Sequence, residues 1–161
     1  MSEPNQPRAA AGPRAHTLPA QGLVNRVVRG LLRTPVLCRL IGRRLITLYV
    51  VGRKSGRHYA IPAAYTAHDG SLLVGSQFAW ARNLRTGEPV DVRLAGKRRT
   101  ADVEIFTDEA SVVERYAVIA RDNRGFAKFN KIRLDRHGNP SVADLHLAWG
   151  AGARVARLTP R

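Results

Sequence analysis

The sequence predicts an α+β domain, a small barrel or rolled sheet of antiparallel strands with helices grouped before and after them. Three observations carry that prediction. Apolar residues recur at helical spacing from Leu23, the period turns extended at Leu45, and glycine-bearing turns then separate a series of short β-branched and aromatic runs.

Residues 1–18, where Pro4, Pro7, Gly12 and Pro13 lie among polar residues, have no periodic apolar face and read as a flexible arm. The rest, 19–161, reads as one domain. Leu23, Val24, Val27, Val28, Leu31 and Leu32 form the stripe of an amphipathic helix, with Arg26, Arg29 and Arg33 on its other faces. A second helical stretch starts with Thr34 as cap and Pro35 in the first turn, carries Val36, Leu37, Leu40 and Ile41, and ends at Gly42. Together they make an N-terminal helical region over 22–44.

Leu45 to Val51 then reads as a strand stopped by Gly52, and Tyr59 to Thr66 and Ser71 to Ser76 as two more. Asp69-Gly70 supplies the positive dihedrals of a tight hairpin between them. Ala79 to Arg85 reads as a short helix, and Val90 to Leu94 and Thr100 to Phe106 as strands turned by Gly96-Lys97. Thr107-Asp108-Glu109 opens a helix over Ala110 to Ala120. Phe126 to Leu134 adds helical turns, His137 to Pro140 is a loop, and strands over Val142 to Trp149 and Arg154 to Leu158 close the chain.

At 161 residues and 44% hydrophobic, the chain suits a single core. One cysteine, Cys38, excludes an intrachain disulfide and fits a reducing compartment. Neither a signal peptide nor an apolar run long enough to span a bilayer is present, so a cytoplasmic protein is expected. The five histidines show no ligand spacing, and no metal is expected. Charge is the outstanding feature, since 27 Lys and Arg against 12 Asp and Glu give +15. Between Glu3 and Asp69 no acid occurs at all, while Arg8, Arg26, Arg43, Arg44, Arg53, Lys54 and Arg57 are among the cations there. Such a surface calls for an anionic partner: nucleic acid, lipid headgroups or a polyanionic small molecule.

The loop Gly52-Arg53-Lys54-Ser55-Gly56-Arg57 concentrates this chemistry. Glycines let backbone amides approach an oxyanion, Ser55 offers a hydroxyl, and Arg53, Lys54 and Arg57 offer charge-assisted bonds to phosphate or carboxylate. The order of residues is not that of a Walker loop. By itself the stretch is equally readable as a solvated basic hairpin tip.

In sequence, the Gly-Arg-Lys-Ser-Gly stretch, Arg57, Pro62, the Tyr65 to Gly70 segment, the strand to Ser76, Trp80-Ala81-Arg82-Asn83-Leu84, Pro89-Val90 and Gly96-Lys97-Arg98 resemble the deazaflavin-dependent nitroreductase and quinone reductase family. The Trp80 stretch is similar to that family's Trp-x-x-Asn-Leu helix start, and the resemblance covers residues 45 to about 108. It implies a split β-barrel of the FMN-binding type, often a homodimer, passing hydride from the reduced deazaflavin coenzyme F(420) to a quinone, nitroaromatic or enone. Arg53, Lys54, Ser55, Gly56 and Arg57 would hold the coenzyme's phosphate and tail. Pro62, Ser76, Trp80, Asn83 and Leu84 would line the cofactor groove. Two departures stand out: only Gln77-Phe78-Ala79 separates Ser76 from Trp80, and Phe126 and Phe129 occupy the stretch where nitro-reducing members carry tyrosines. The resemblance therefore assigns no catalytic proton donor.

Alternatives follow from the same residues. The loop suits FMN or FAD as well, since either bears phosphate. A membrane- or nucleic-acid-binding module would explain the charge, although aromatics at 6% are too few for stacking platforms and no specific nucleic-acid motif is present. The basic helical region over 23–41 suits peripheral contact with the inner face of a membrane, or packing on the barrel. Trp80 taken alone reads as a core anchor, Cys38 as a packed thiol, and Gly150-Ala151-Gly152 as a turn.

Overall fold

The computed structural model describes residues 44–161. The arm over 1–18, Cys38 and, up to residue 43, the helices expected over 22–44 lie outside the described residues.

Strand β1 (Leu45–Val51) buries Ile46, Leu48 and Val50, every second residue, as a strand with one face on a core must. It pairs antiparallel on one side with β2 (His58–Ala64) and on the other with β5 (Val90–Leu94). Together with β3 (Thr66–His68), β4 (Ser71–Ser76), β6 (Lys97–Phe106) and β7 (Arg154–Pro160), these form one antiparallel sheet in the order β2-β1-β5-β6-β7-β4-β3. The two edge strands of that sheet, β2 and β3, are consecutive in the chain and separated only by Tyr65. Neighbouring residues cannot lie at opposite ends of a flat seven-stranded sheet, where strands stand about 4.8 Å apart. The sheet therefore rolls until its edges meet, and the bent 58–68 segment closes a split β-barrel. The expected single strand over Tyr59 to Thr66 is corrected accordingly to two strands with a bend.

Inside the barrel lie Ile46, Leu48, Val50, Ile61, Val74, Val92, Val103 and Leu158, with Leu84 added from a loop. A second core lies on the other face of β4 and β7, where Leu73 and Val155 meet Val112, Tyr116 and Ile119 of α1 (Glu109–Asp122). Two short helices complete that layer, α2 (Arg124–Phe129) and α3 (Val142–Gly150). β4 and β7 are thus covered on both faces, which accounts for the apolar run Leu72-Leu73-Val74.

The Asp69-Gly70 hairpin holds, with φ of 47° and 71°. The β5–β6 turn is Ala95-Gly96, φ 48° and 79°, one residue before the expected Gly96-Lys97, because Leu94 still pairs with Lys97. The helix opened by Asp108 forms as expected, and the Asp108 carboxylate accepts the Ser111 amide at 2.9 Å. Two expectations fail. Helix α2 stops at Phe129, short of Leu134, and a turn with Lys131 at φ 58° leads to a bridge between Leu134 and Pro140. The strand expected over Val142 to Trp149 is helix α3. Its buried residues Asp144, Leu145 and Ala148 follow helical spacing, and Ser141 caps it by accepting the Asp144 amide. Val142 and Leu147 stay exposed at 63% and 72%, so no face alternates as a strand requires. No helix among the described residues is long and apolar enough to cross a membrane.

Candidate functional site: a basic loop joined to a tryptophan turn

The loop between β1 and β2 is closed on itself. Gly52 N–H donates to the Arg57 carbonyl at 2.8 Å, and Gly56 N–H to the Gly52 carbonyl at 2.7 Å. Gly56 sits at φ 63°, where a side chain is disfavoured. Gly52 is required for space instead, since a Cβ there would lie 2.6 Å from Ser55 Oγ and 2.9 Å from the Tyr59 ring. Ser55 Oγ accepts the Arg57 amide at 3.3 Å and lies 3.4 Å from Tyr59 Oη. Part of the hydroxyl's capacity, expected to serve a ligand, therefore holds the loop in shape.

A single-turn 3-10 helix, Ala79–Asn83, sits against this loop. Arg53 N–H donates to Asn83 Oδ1 at 3.1 Å, and Asn83 Nδ2 donates to the Trp80 carbonyl at 3.2 Å. The Arg53 guanidinium adds a 3.4 Å bond to the Arg82 carbonyl. Asn83 thus ties together two segments thirty positions apart in sequence. Trp80 is half-buried and packs on the barrel core, which fixes its ring on one side.

Arg53, Lys54, Ser55, Gly56 and Arg57 are all exposed, and none of the cations among them is paired with an acid among the described residues. The Lys54 and Ser55 amides make no hydrogen bond within the described residues. N–H groups without a partner among the described residues, beside cations without an acid there, are the groups from which a backbone anion nest is built.

The remaining expected residues divide. Ser76 is buried at the end of β4, and its hydroxyl accepts the Phe78 amide at 3.1 Å, fixing the start of the segment that leads to Trp80. Leu84 is 7% exposed and its side chain belongs to the barrel core. Pro62 lies apart. It pairs with Thr47, four residues along the ladder from the Val51–His58 pair that borders the loop, roughly 13 Å at strand rise. Two residues escaped the sequence reading. Arg82 lies inside the Trp80–Asn83 turn and reaches to 4.0 Å from where a Gly152 Cβ would stand. Arg154, paired in register with Ser76, is a further cation without an acid partner among the described residues. Arg82 was visible in the motif, whereas Arg154 reaches Ser76 only through the strand order.

Among solved structures, the chain is similar to proteins of low sequence identity. The chain is similar to a candidate 5-nitroimidazole antibiotic resistance protein from Bacteroides thetaiotaomicron, with 10% identity, a TM-score of 0.45, and coverage of 84% of this chain and 79% of that one. It is also similar to a pyridoxamine 5′-phosphate oxidase-related, FMN-binding protein from Nostoc punctiforme, with 13% identity, a TM-score of 0.48, and coverage of 89% and 81%. No protein-family model matches the chain, and no curated protein does.

Beyond the turn, Gln77 Nε2 donates to Asn130 Oδ1 at 3.2 Å, and the Phe78 and Phe129 rings stand 6.1 Å apart. The three residues between Ser76 and Trp80 are thereby held against the end of α2.

Proposed function

We propose that the chain is an oxidoreductase that holds a flavin-type cofactor by its anionic tail at the 52–57 loop and reduces an electron-poor small molecule. The observation that carries this reading is the Asn83 bridge. It fixes the basic loop and the Trp80 turn as one unit, and the Lys54 and Ser55 amides have no partner among the described residues. A solvated hairpin tip has no need of that link, whereas a site that must hold charge next to a planar ring does.

The residues present fit such a group. Free amides of Lys54 and Ser55, with Lys54 and Arg57 beside them, suit a phosphate. Four cations, Arg53, Lys54, Arg57 and Arg82, without an acid partner among the described residues favour a tail with several negative charges. That count favours the deazaflavin coenzyme, whose phosphodiester and carboxylates carry more charge than one phosphate. When bound, the cofactor supplies hydride chemistry for a quinone, nitroaromatic or enone acceptor. The chain's own part is to bind, orient and exclude water. The loop fixes the tail, Trp80 offers an immobilised apolar wall, and Ser76, accepting from Phe78, retains a hydroxyl proton to donate.

FMN is the second reading, because two amides and Ser55 already match a single phosphate. Titrating the purified chain with each cofactor separates the two. The expected result is saturable binding of the deazaflavin coenzyme with quenching of Trp80 fluorescence, and weaker binding of FMN. Saturation by FMN alone selects the second reading. Saturation by neither, with steeply salt-dependent binding to unrelated DNA or anionic vesicles, replaces both with a general anion-surface binder.

A further inference from the structure

A second cation-rimmed site lies away from this loop, under helix α2. The helix ends in a sharp reversal: Lys131 takes φ 58°, and Ile132 N–H donates to the Ala127 carbonyl at 2.8 Å. That backbone position ordinarily favours glycine, yet a lysine holds it here. The reversal brings residues 132–134 beside the helix and leaves between them an open surface pocket of about 430 Å³. Its volume falls within the range of small-molecule sites, roughly 300 to 1,000 Å³.

The lining has two parts. Ala127 and Ile132 are buried and Leu134 half-buried, which makes an apolar floor. Arg124, Lys128 and Lys131 stand exposed at its edge with no acid partner among the described residues, and no carboxylate lines the cavity. Arg133 is committed elsewhere, its guanidinium donating to both Asp144 oxygens at 2.8 and 3.0 Å. Asp122 and Asp135, the nearest acids in sequence, are likewise engaged, by Arg44 and by the 135–139 loop. Among the described residues nothing neutralises the rim.

We propose that this cavity binds a small amphiphilic anion, a carboxylate, sulfonate or phosphate carried on a compact apolar body. The apolar floor takes the body, and Arg124, Lys128 and Lys131 take the charge. The floor is only three apolar side chains wide, Ala127, Ile132 and Leu134, which matches the compact body of a free molecule. The opposite side of α2 presents Phe126, Phe129 and Asn130 toward Gly75 and the Gln77–Phe78 segment, so occupancy bears on the helix that holds the segment before Trp80.

The test titrates the full chain with the fluorescent anion 8-anilinonaphthalene-1-sulfonate, using decanoate below its micelle concentration as competitor. The expected result is a saturable fluorescence rise that decanoate reverses. Lys128→Gln with Lys131→Gln, or Arg124→Gln alone should the pair fold poorly, weakens the affinity roughly tenfold, while Arg53→Ala with Lys54→Ala changes it by less than about twofold. Affinity that ignores the α2 substitutions overturns the proposal, as does equal weakening by both sets, which would reflect net charge alone. Capture on anionic vesicles that needs Lys128 and Lys131, without dye binding, also overturns it.

Discussion

Replacing Asn83 by alanine removes the bond its Oδ1 accepts from Arg53 N–H at 3.1 Å and the bond its Nδ2 donates to the Trp80 carbonyl at 3.2 Å. Asn83 is only half-buried, so water replaces part of what is lost. At about 0.5–1.5 kcal/mol for each bond, the cost is about 1–3 kcal/mol. For a chain of 161 residues that lowers Tm by roughly 2–12 °C, at 2–4 °C for each kcal/mol. Circular dichroism of thermal unfolding measures this part. The functional part is read by cofactor titration, because a loop released from the Trp80 turn must be ordered again on binding. Affinity should fall roughly tenfold. Asn83→Asp separates geometry from charge: it retains the acceptor for Arg53 but sets a carboxylate among the cations. Stability should then stay nearer that of the unaltered chain while anion affinity falls. Cofactor binding by Asn83→Ala indistinguishable from the unaltered chain would refute the idea that loop and turn work as one unit.

Other substitutions probe the frame around the site. Gly75→Ala puts a Cβ 2.8 Å from Phe126 Cζ and 3.0 Å from Tyr116 Cε2, both on rings packed in the second core. The overpacking should cost about 1–3 kcal/mol, visible as a lower urea midpoint, and an unchanged midpoint would contradict the packing of α1 and α2 on β4. Ala95→Asn relieves a non-glycine residue at φ 48° in the β5–β6 turn and should stabilise the fold by about 1 kcal/mol, with a higher Tm as readout. The Arg133 guanidinium and amide hold the Asp144 carboxyl at about 2, below its ordinary 3.8. A depressed carboxyl stabilises the fold fully above pH 3.8, and that contribution disappears as pH falls toward 2. Asp144→Asn should therefore flatten the dependence of the urea midpoint on pH across that window, and an unaltered slope would remove the pair from acid sensitivity.

The features legible in the sequence were those fixed by near neighbours. The 45–51 strand announced itself by β-branched residues and a terminal glycine, the Asp69-Gly70 hairpin by its dihedral needs, and the 52–57 loop by charge and glycine together. Helix α3 misled because Leu145, Leu147 and Trp149 happen to alternate with His146 and Ala148, imitating a strand. The cap at Ser141 and the Asp144–Arg133 pair override that alternation. The bend at Tyr65 had no local marker, since it follows from closure of the barrel by distant strands. The candidate site shows the same division. Its loop was readable residue by residue, but the Arg53–Asn83 link spans the gap between two segments that only the fold brings together. Pro62 went the other way, close in sequence and distant along the ladder.

The central claim is that the joined loop and turn bind an anionic flavin-type cofactor. The most direct measurement is fluorescence titration of the full chain with the deazaflavin coenzyme and with FMN, repeated for Arg53→Ala plus Lys54→Ala. The account predicts saturable binding that the double substitution weakens at least tenfold, since charge-assisted bonds to phosphate contribute about 1.5–3 kcal/mol each. Saturable binding left intact by that substitution, or no saturation by either cofactor, would contradict it.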